Sequence, residues 1–170
     1  MLGLSCRILF RIAGLRAGSF QRHHATLYQR RLPPHCRVAD AVYFVTWRLA
    51  RTQPELSADE RDLVTATLRH FDSQRYELLG YVVMNDHVHV VVKPVSGYDL
   101  TAIVQSWKSF TANRLQRAHG RTGRIWQREY LDRVIRDAEE LSDRLAYIAG
   151  NPGKRWPDIE RYSWVWVAGL

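Results

Sequence analysis

The stretch that decides the fold runs from Tyr81 to Pro94 and reads Y-V-V-M-N-D-H-V-H-V-V-V-K-P. Its β-branched residues favour a strand. His87 and His89 lie two residues apart, and on a strand this spacing places both imidazole rings on one face of the sheet. The intervening and following residues point to the opposite face: Val88, Val90 and Val92. The stretch therefore predicts a central strand that is buried on one side and carries two nitrogen donors on the other.

The histidine pair has two interpretations. Two neighbouring neutral imidazoles can hold one divalent cation if a third group arrives from elsewhere in the fold. A chain with seven histidines also contains an H-x-H pair by chance, and a strand histidine is more commonly a core or edge residue than a ligand. The choice between these roles depends on what lies further along the chain.

Composition points to one basic globular domain. The chain has 170 residues, of which 46% are hydrophobic and 25% charged, as in ordinary globular proteins. The net charge of +8 and the pI near 9.9 favour a polyanionic partner, with nucleic acid as the leading class and a merely basic surface as the alternative. Six Trp and eight Tyr offer faces for unpaired bases, although most are expected in the core.

The amino-terminal region differs in composition from the rest of the chain. Residues 1–27 are rich in Arg and lack acidic residues, and Arg11 interrupts the apolar stretch that would make a secretory signal. We expect a loosely ordered basic extension, with an organelle presequence, an amphipathic helix or a misassigned start left open, and a single domain over residues 28–170. Cys6 and Cys36 are too few for a disulfide framework or a thiolate zinc site, which fits a reducing intracellular setting. No apolar run approaches the roughly 18 residues that span a membrane.

Sequence patterns predict four strands and three helices. After an extended lead-in over Tyr28 to Val38, the expected elements are a strand Ala41 to Leu49, a helix Ala58 to Ser73, a strand Tyr76 to Met84, the histidine strand, a helix Leu100 to Ala118, an extended segment closing the sheet within 124–136, and a helix Ala138 to Gly150. Ser57 and Glu60 form a capping box before the first helix. The order predicts an α+β fold with a ferredoxin-like, split β-α-β antiparallel sheet, helices on one face and an added C-terminal helix.

Finer expectations concern the last two helices and the tail. The apolar side of the second helix should include Trp107 and Phe110, and its polar side Thr111. The Asn151-Pro152 pair should end the third helix. The Trp-rich tail from Lys154 onward should pack back on the domain.

Tyr147 and Asn151 lie four residues apart on the third helix, so both project from the same side. An amide oxygen suits a hard divalent cation, and a phenol beside such a cation can attack phosphorus. The structural alternative is that Asn151 only caps the helix and Tyr147 is a core aromatic. Helical spacing alone favours that alternative.

Taken together, these motifs resemble the single-tyrosine HUH transposases, and within them the REP-associated tyrosine transposases of bacteria. The resemblance covers about Arg30 to Trp164 and rests on Y-F-V-T-W-R-L, V-M-N-D-H-V-H-V-V-V, W-x-x-x-x-x-T-A-N-R, I-W-Q-R-E-Y-L-D-R-V-I-R-D and Y-I-A-G-N-P. It implies that His87 and His89 bind the metal, that Asn151 is the third ligand and that Tyr147 is the nucleophile. Asp86 departs from the family, which often has Asn there.

The resemblance also implies an activity and a setting. Such enzymes cut single-stranded DNA near a hairpin of palindromic repeats, leave the 5′ phosphate on tyrosine and a 3′ hydroxyl free, and use Mg²⁺ or Mn²⁺. They rejoin strands by reversing this step without ATP. They work as monomers or homodimers in the bacterial cytoplasm, with no membrane partner.

Further contacts and competing functions stay open. The predicted DNA contacts are Lys108, Arg114 and Arg124 to phosphates, and Trp126 and Gln127 to a base. Tyr130 is the rival nucleophile and ranks below Tyr147. The alternatives are a domesticated protein that binds palindromic repeat DNA without cutting it and an RNA-directed or replication-initiating nuclease, because DNA and RNA are not distinguishable from the sequence.

Overall fold

The strand with the two histidines, β3 (His87–Pro94), lies at the centre of an antiparallel sheet. The computed structural model describes residues 40–169. The other elements are β1 (Val42–Arg48), α1 (Ala58–Arg69), β2 (Tyr76–Val83), α2 (Leu100–His119), β4 (Leu131–Ile135), α3 (Ala138–Arg155) and β5 (Val165–Val167). Within residues 40–169, five strands have the order β4-β1-β3-β2-β5. The predicted ferredoxin-like α+β fold is confirmed, while the expectations for residues 1–27 and for the lead-in over Tyr28 to Val38 lie outside the described residues.

The two faces of the sheet carry separate apolar clusters. On one face, α1 and α2 pack over alternate residues of β1 and β3. These residues include Val45, Trp47, Val88 and Val90. On the other face, α3 packs over a smaller cluster that contains Val91 and Ile148. This alternation follows from the two-residue period of a strand. It places His87 and His89 on the α3 face and Val88, Val90 and Val92 on the other, as predicted.

Glycine lets α3 lie close to the sheet. A Cβ atom built at Gly80 in β2 would lie 2.9 Å from Leu145 Cδ2 in α3 and 3.3 Å from the Trp166 carbonyl oxygen in β5. Such contacts are closer than ordinary van der Waals packing. A larger residue at this position would force the Leu145 side chain or the Trp166 backbone to shift.

The first helix begins where predicted and ends earlier. Ser57 and Glu60 form the capping box, with the Ser57 amide donating to Glu60 Oε2 at 2.8 Å. The prediction that the helix reaches Ser73 is wrong, because Ser73 has a φ of 63° in the left-handed region. Asp72 stabilises this turn, since its Oδ1 accepts hydrogen bonds from the amides of Ser73 and Leu78, both at 2.9 Å.

Two predictions for α2 are wrong. Phe110 is 52% exposed, whereas Thr111 is 2% exposed. Thr111 lies between Trp107 and Leu115 at four-residue spacing, and so it belongs to the inner face. Its hydroxyl can be buried because it donates to the Trp107 carbonyl at 2.7 Å and accepts from Trp126 Nε1 at 2.9 Å.

The prediction that Asn151-Pro152 ends α3 is also wrong, because the helix continues to Arg155. Proline in a helix interior costs about 3 kcal/mol, yet here Asn151 and Pro152 are both buried. The Trp156 amide donates to the Pro152 carbonyl at 2.9 Å, so the last turn is closed. The extra turn brings Lys154 onto the same helix as Tyr147.

The tail packs back on the domain as predicted. It adds the short strand β5, which pairs antiparallel with β2 and was not predicted. No helix within residues 40–169 combines the length and the apolar character needed to cross a lipid bilayer.

Candidate active site

The two imidazole rings of β3 are held side by side by residues on either side of them. Their ring centroids lie 4.7 Å apart. His87 Nδ1 lies 2.6 Å from Asp86 Oδ1, and His89 Nδ1 lies 2.7 Å from the hydroxyl oxygen of Thr46, its register partner on β1. No hydrogen bond of either Nε2 atom occurs in the described part of the chain. Partners on Nδ1 fix the ring orientations and leave the Nε2 atoms available as ligands.

The electrostatic environment keeps His89 neutral. Burial, followed by the nearby charges of His87, Arg48 and Lys154, lowers the pKa of His89 to about 3. Burial also raises the pKa of Asp86, but the hydrogen bond with His87 and the charge of Arg48 outweigh it, so that the pKa of Asp86 is lowered overall. A neutral imidazole is the form that binds a metal ion.

Helix α3 brings Tyr147 to the histidines. Its ring lies edge-on to His89, with centroids 5.3 Å apart and an interplanar angle of 77°. Phe44 of β1 contacts both rings, because it stacks on His89 at 5.3 Å and lies edge-on to Tyr147 at 6.1 Å. Phe44 therefore fixes the phenol relative to the imidazole.

Asn151 follows Tyr147 by four residues on α3 and is 5% exposed. Its side chain makes no hydrogen bond to the rest of residues 40–169. Because positions four apart share a helix side, its carboxamide belongs to the side of α3 that carries Tyr147. No partner among the described residues therefore competes with a ligand for this carboxamide.

Lys154 is a site residue that the sequence analysis missed. Its Nζ atom lies 3.9 Å from the centroid of the Tyr147 ring, and its charge contributes to the lowered pKa of His89. Positions 147, 151 and 154 recur at helical spacing, so the pattern would have revealed Lys154 had the helix not been expected to end before it. Thr46 and Phe44 depend on the pairing of β1 with β3, which no local pattern indicates.

Two imidazoles and a carboxamide are donor types that a divalent cation takes. Within the described ranges no group of three or more His, Cys, Asp or Glu side chains is close enough to hold a metal. The candidate set instead consists of the two free imidazole nitrogens and the carboxamide of Asn151. Such a mixed nitrogen and oxygen set, with carboxylate Asp86 orienting one imidazole, suits a divalent metal that also takes phosphate oxygens as ligands.

Among the predicted DNA contacts, Trp126 requires a correction. It is 4% exposed, donates through Nε1 to Thr111 and lies edge-on to Trp47 at 6.3 Å. A base cannot stack on a ring that is buried in the core. Gln127, by contrast, lines a cleft of about 420 Å³ together with Arg48 and Asp86.

Two of the other predicted contacts, Lys108 and Arg114, lie away from the histidines. Lys108 is on α2, donates to the Arg128 carbonyl at 2.9 Å, and has a pKa lowered by burial. Arg114 on α2 and Arg124 in the following loop are exposed. Because α2 covers the opposite face of the sheet, the structure does not bring Lys108 and Arg114 to the histidine face.

Tyr130, the rival nucleophile, is also on the α2 side. Its hydroxyl lies 3.1 Å from the Thr101 hydroxyl, and Lys108 Nζ lies 5.6 Å from its ring centroid. Tyr147 is thus the tyrosine that contacts the histidine pair.

The fold is one that transposases share. It is similar to the structure of a REP-associated tyrosine transposase bound to a REP hairpin, with a TM-score of 0.63 and 18% identity over 83% of this chain and 82% of that chain. It is also similar to the crystal structure of a protein from Deinococcus radiodurans R1 described as a candidate transposase, with a TM-score of 0.50 and 21% identity over 68% and 93% of the two chains. At these identities the likeness establishes the fold.

The family is defined by the sequence. Residues 37–151, more than half of the chain, match the family described as "Transposase IS200 like". The chain therefore belongs to the IS200-like transposase family, whose members process DNA. No curated protein matches the chain.

Proposed function

We propose that this chain works as a REP-associated tyrosine transposase of the HUH type, which cleaves and rejoins single-stranded hairpin DNA through a 5′-phosphotyrosine. The observation that carries the proposal is the edge-on packing of Tyr147 against His89 at 5.3 Å, beside a second imidazole 4.7 Å away. Membership of the IS200-like family supports DNA as the substrate. A protein of the same fold was solved with a REP hairpin, which supports a folded palindromic repeat as the target.

The reaction is a transfer of one phosphoryl group. The Tyr147 oxygen attacks phosphorus and loses its proton to solvent, while the bond from phosphorus to the 3′ oxygen breaks and that oxygen takes up a proton. The products are a 5′-phosphotyrosine and a free 3′ hydroxyl. The bond formed and the bond broken are both phosphodiester bonds, so a 3′ hydroxyl can reverse the step without ATP.

His87, His89 and Asn151 would hold a Mg²⁺ or Mn²⁺ ion, which supplies Lewis-acid polarisation of the scissile phosphate when bound. Asp86 and Thr46 orient the two imidazoles, and Phe44 limits the movement of the Tyr147 ring. Each of these contacts exists before DNA binds, so the site is preorganised for the attack.

Lys154 has a role in the same reaction. Its ammonium group lies on the ring of Tyr147 and forms no ion pair within the described chain, so it is free to move onto a phosphate. It would balance the negative charge that the phosphate brings to Tyr147.

Covalent-adduct formation tests the proposal. The protein is incubated with labelled hairpin DNA carrying single-stranded flanks and with Mg²⁺ or Mn²⁺, and the products are separated on a denaturing gel. We expect an adduct with the wild type, none with Tyr147→Phe and none with EDTA. Tyr130→Phe is the matched control and should form the adduct normally.

Two other results would contradict the proposal. An adduct that Tyr147→Phe forms as well as the wild type does would reject the assigned nucleophile. Salt-sensitive hairpin binding that EDTA leaves unchanged, with no adduct at any metal concentration, would identify a binding protein that does not cut. An RNA hairpin of the same sequence, used as the substrate, shows whether the activity is restricted to DNA.

A further inference from the structure

A cleft of about 710 Å³ lies between α1 and the segment that follows α3. We call it the tail cleft. Its walls carry three arginines and three aromatic residues, namely Arg61, Arg155, Arg161, Trp156, Tyr162 and Trp164. None of them belongs to the candidate active site or to the predicted DNA contacts.

The aromatic side chains form a connected wall. Trp156 stacks on Tyr162 with centroids 5.6 Å apart, and Tyr162 lies edge-on to Trp164 at 5.2 Å. The Tyr162 hydroxyl donates to the Val83 carbonyl of β2 at 2.8 Å, which ties the wall to the sheet. All three rings are only half-buried. Ring surface thus remains exposed on a wall that is already rigid.

The charge of the tail cleft suits a polyanion. Three arginines line it against one carboxylate, that of Asp158, and one of them, Arg155, also pairs with Glu55 at 2.8 Å. The Arg61 guanidinium lies 3.7 Å from the centroid of the Trp164 ring, and its Nε is buried without a hydrogen-bond partner among the described residues. Arg161 is exposed. Cations interleaved with exposed rings are the pattern that binds single-stranded nucleic acid, because phosphates pair with arginine and bases stack on the rings.

The position of the tail cleft relates it to the active site. Arg155 follows Lys154 directly, so the cleft opens at the carboxyl end of the helix that carries Tyr147. Eight residues separate Tyr147 from Arg155, which is about 12 Å along a helix axis. A DNA strand at Tyr147 would reach the cleft within a few nucleotides.

We infer that the tail cleft binds unpaired nucleotides of the DNA strand next to the scissile phosphate. A base stacks on the exposed surface of Trp156, and phosphates contact Arg161 and compete with Glu55 for Arg155. Duplex DNA does not fit this role, because its base faces are stacked inside the helix. The inference rests on the proposed function for the position of the scissile phosphate, whereas the chemistry of the wall stands without it.

Binding measurements with flanked and blunt hairpins test the inference. The probes are a fluorescent hairpin with a single-stranded flank and the same hairpin without it. We expect Trp156→Leu to weaken binding of the flanked hairpin about tenfold, as the loss of one stacked base does, and to leave blunt-hairpin binding unchanged. An abasic site at one flank position should weaken binding of the flanked hairpin by the wild type to a similar extent. The same abasic site should not weaken binding by the Trp156→Leu variant any further.

An exposed arginine gives a second test that does not depend on the tail packing. Arg161→Gln should weaken binding of the flanked hairpin and reduce the salt dependence of binding by about one counterion. Arg117→Gln, which removes an exposed arginine from α2 on the other face of the sheet, is the matched control and should change neither. If Arg161→Gln behaves like Arg117→Gln, or if abasic sites affect wild type and Trp156→Leu equally, the tail cleft is not a strand-binding site.

These outcomes are separable from the failure of the proposed function. A normal Tyr147 adduct together with unchanged flank binding in Arg161→Gln would overturn the tail cleft alone. Flank binding that depends on Trp156 and Arg161 in a protein that forms no adduct would overturn the cleavage activity and support the tail cleft.

Discussion

Thr46 and His89 face each other across β1 and β3, and the Thr46 hydroxyl oxygen lies 2.7 Å from His89 Nδ1. This hydrogen bond sets which ring nitrogen of His89 is free for a ligand, and it does so from the neighbouring strand. Its strength as an orienting contact is increased by the 7% exposure of His89, because water cannot replace the threonine.

Replacing Thr46 with valine keeps the shape and removes the hydroxyl. We expect Thr46→Val to weaken Mn²⁺ binding and adduct formation by about 10–100-fold, the usual effect of losing the partner of a metal-binding histidine. Isothermal titration calorimetry measures the binding of Mn²⁺, and a denaturing gel measures formation of the adduct.

Thr65→Val is the matched control for this substitution. The Thr65 hydroxyl is buried without a hydrogen-bond partner in the described part of the protein, so its removal should leave activity unchanged and stability equal or higher. If Thr65→Val weakens Mn²⁺ binding and adduct formation as much as Thr46→Val does, the hydrogen bond between Thr46 and His89 has no special role.

The lowered pKa of His89 predicts a pH dependence of stability. The folded protein binds a proton at His89 only near pH 3, whereas the unfolded chain binds one near pH 6.5. The free energy of unfolding therefore decreases as the pH falls below about 6.5. The stabilisation that depends on a neutral His89 is fully present only above that pH. From pH 7 to pH 5 the loss from this group should be about 2 kcal/mol.

Urea unfolding in EDTA measures that loss. The difference in unfolding free energy between pH 7 and pH 5 should be smaller in His89→Gln than in the wild type by most of that amount. His70→Gln, which replaces an exposed histidine, should keep the wild-type difference. If the pH dependence of His89→Gln matches that of the wild type, His89 is not the group that resists protonation.

The contact between the Lys154 ammonium group and the Tyr147 ring gives a third prediction. Lys154→Ala should slow formation of the Tyr147 adduct by about 10–100-fold, because one electrostatic contact to the transferred phosphate is lost. Lys154→Arg should restore a large part of the rate, since it keeps the charge. Lys93→Ala removes a lysine at the far end of β3 from His87 and should react at the wild-type rate.

The salt dependence of single-turnover cleavage separates a charge effect from a packing effect. Salt screens an electrostatic contact to the phosphate, so the difference in rate between the wild type and Lys154→Ala should narrow as the salt concentration rises, while Lys154→Arg follows the wild type. A slow Lys154→Ala variant whose difference from the wild type does not change with salt, and which arginine does not rescue, would assign Lys154 a packing role only.

Local patterns in the sequence predicted which strands and helices form more accurately than they predicted where those elements end. The alternation of His87 to Val92 and the capping box at Ser57 depend on neighbours in the sequence, and both are confirmed. Thr111 and Trp126 were misplaced because each satisfies its polar group through the other inside the core, a tertiary arrangement that hydrophobicity does not reveal. The end of α3 was misplaced because burial of Pro152 outweighs its local cost as a helix breaker.

The site itself was only partly predictable for the same reason. His87, His89, Tyr147 and Asn151 stand at spacings that the chain shows directly, and their roles remain predictions to be tested by substitution. The orienting residues Thr46 and Phe44 come from β1, whose register on β3 is set by the whole sheet. Lys154 was not predicted as a site residue because α3 was expected to end at Gly150, before its last turn.

The buried ion pair of Arg121 and Glu60 gives the last prediction. Both side chains are 6% exposed, and Arg121 Nη2 lies 2.6 Å from Glu60 Oε2. Arg121 also donates to the carbonyl oxygens of Pro54 and Glu55 at 2.8 and 2.9 Å, which ties down the loop that lines the cleft beside Asp86. Although burial raises the pKa of Glu60, the hydrogen bond from Arg121 outweighs it and the pKa is lowered overall, so the pair is charged at neutral pH.

Arg121→Met should lower the unfolding free energy by about 3–5 kcal/mol, because it leaves a buried carboxylate without its partner and frees two carbonyl groups. Glu55→Gln, which breaks the exposed pair between Glu55 and Arg155, should change it by less than about 1 kcal/mol. Urea unfolding at pH 7 compares them. Since the cost arises from the unpaired carboxylate, the double variant Arg121→Met with Glu60→Leu should recover part of the loss, and a double variant as unstable as the sum of its single substitutions would show that the two residues act independently.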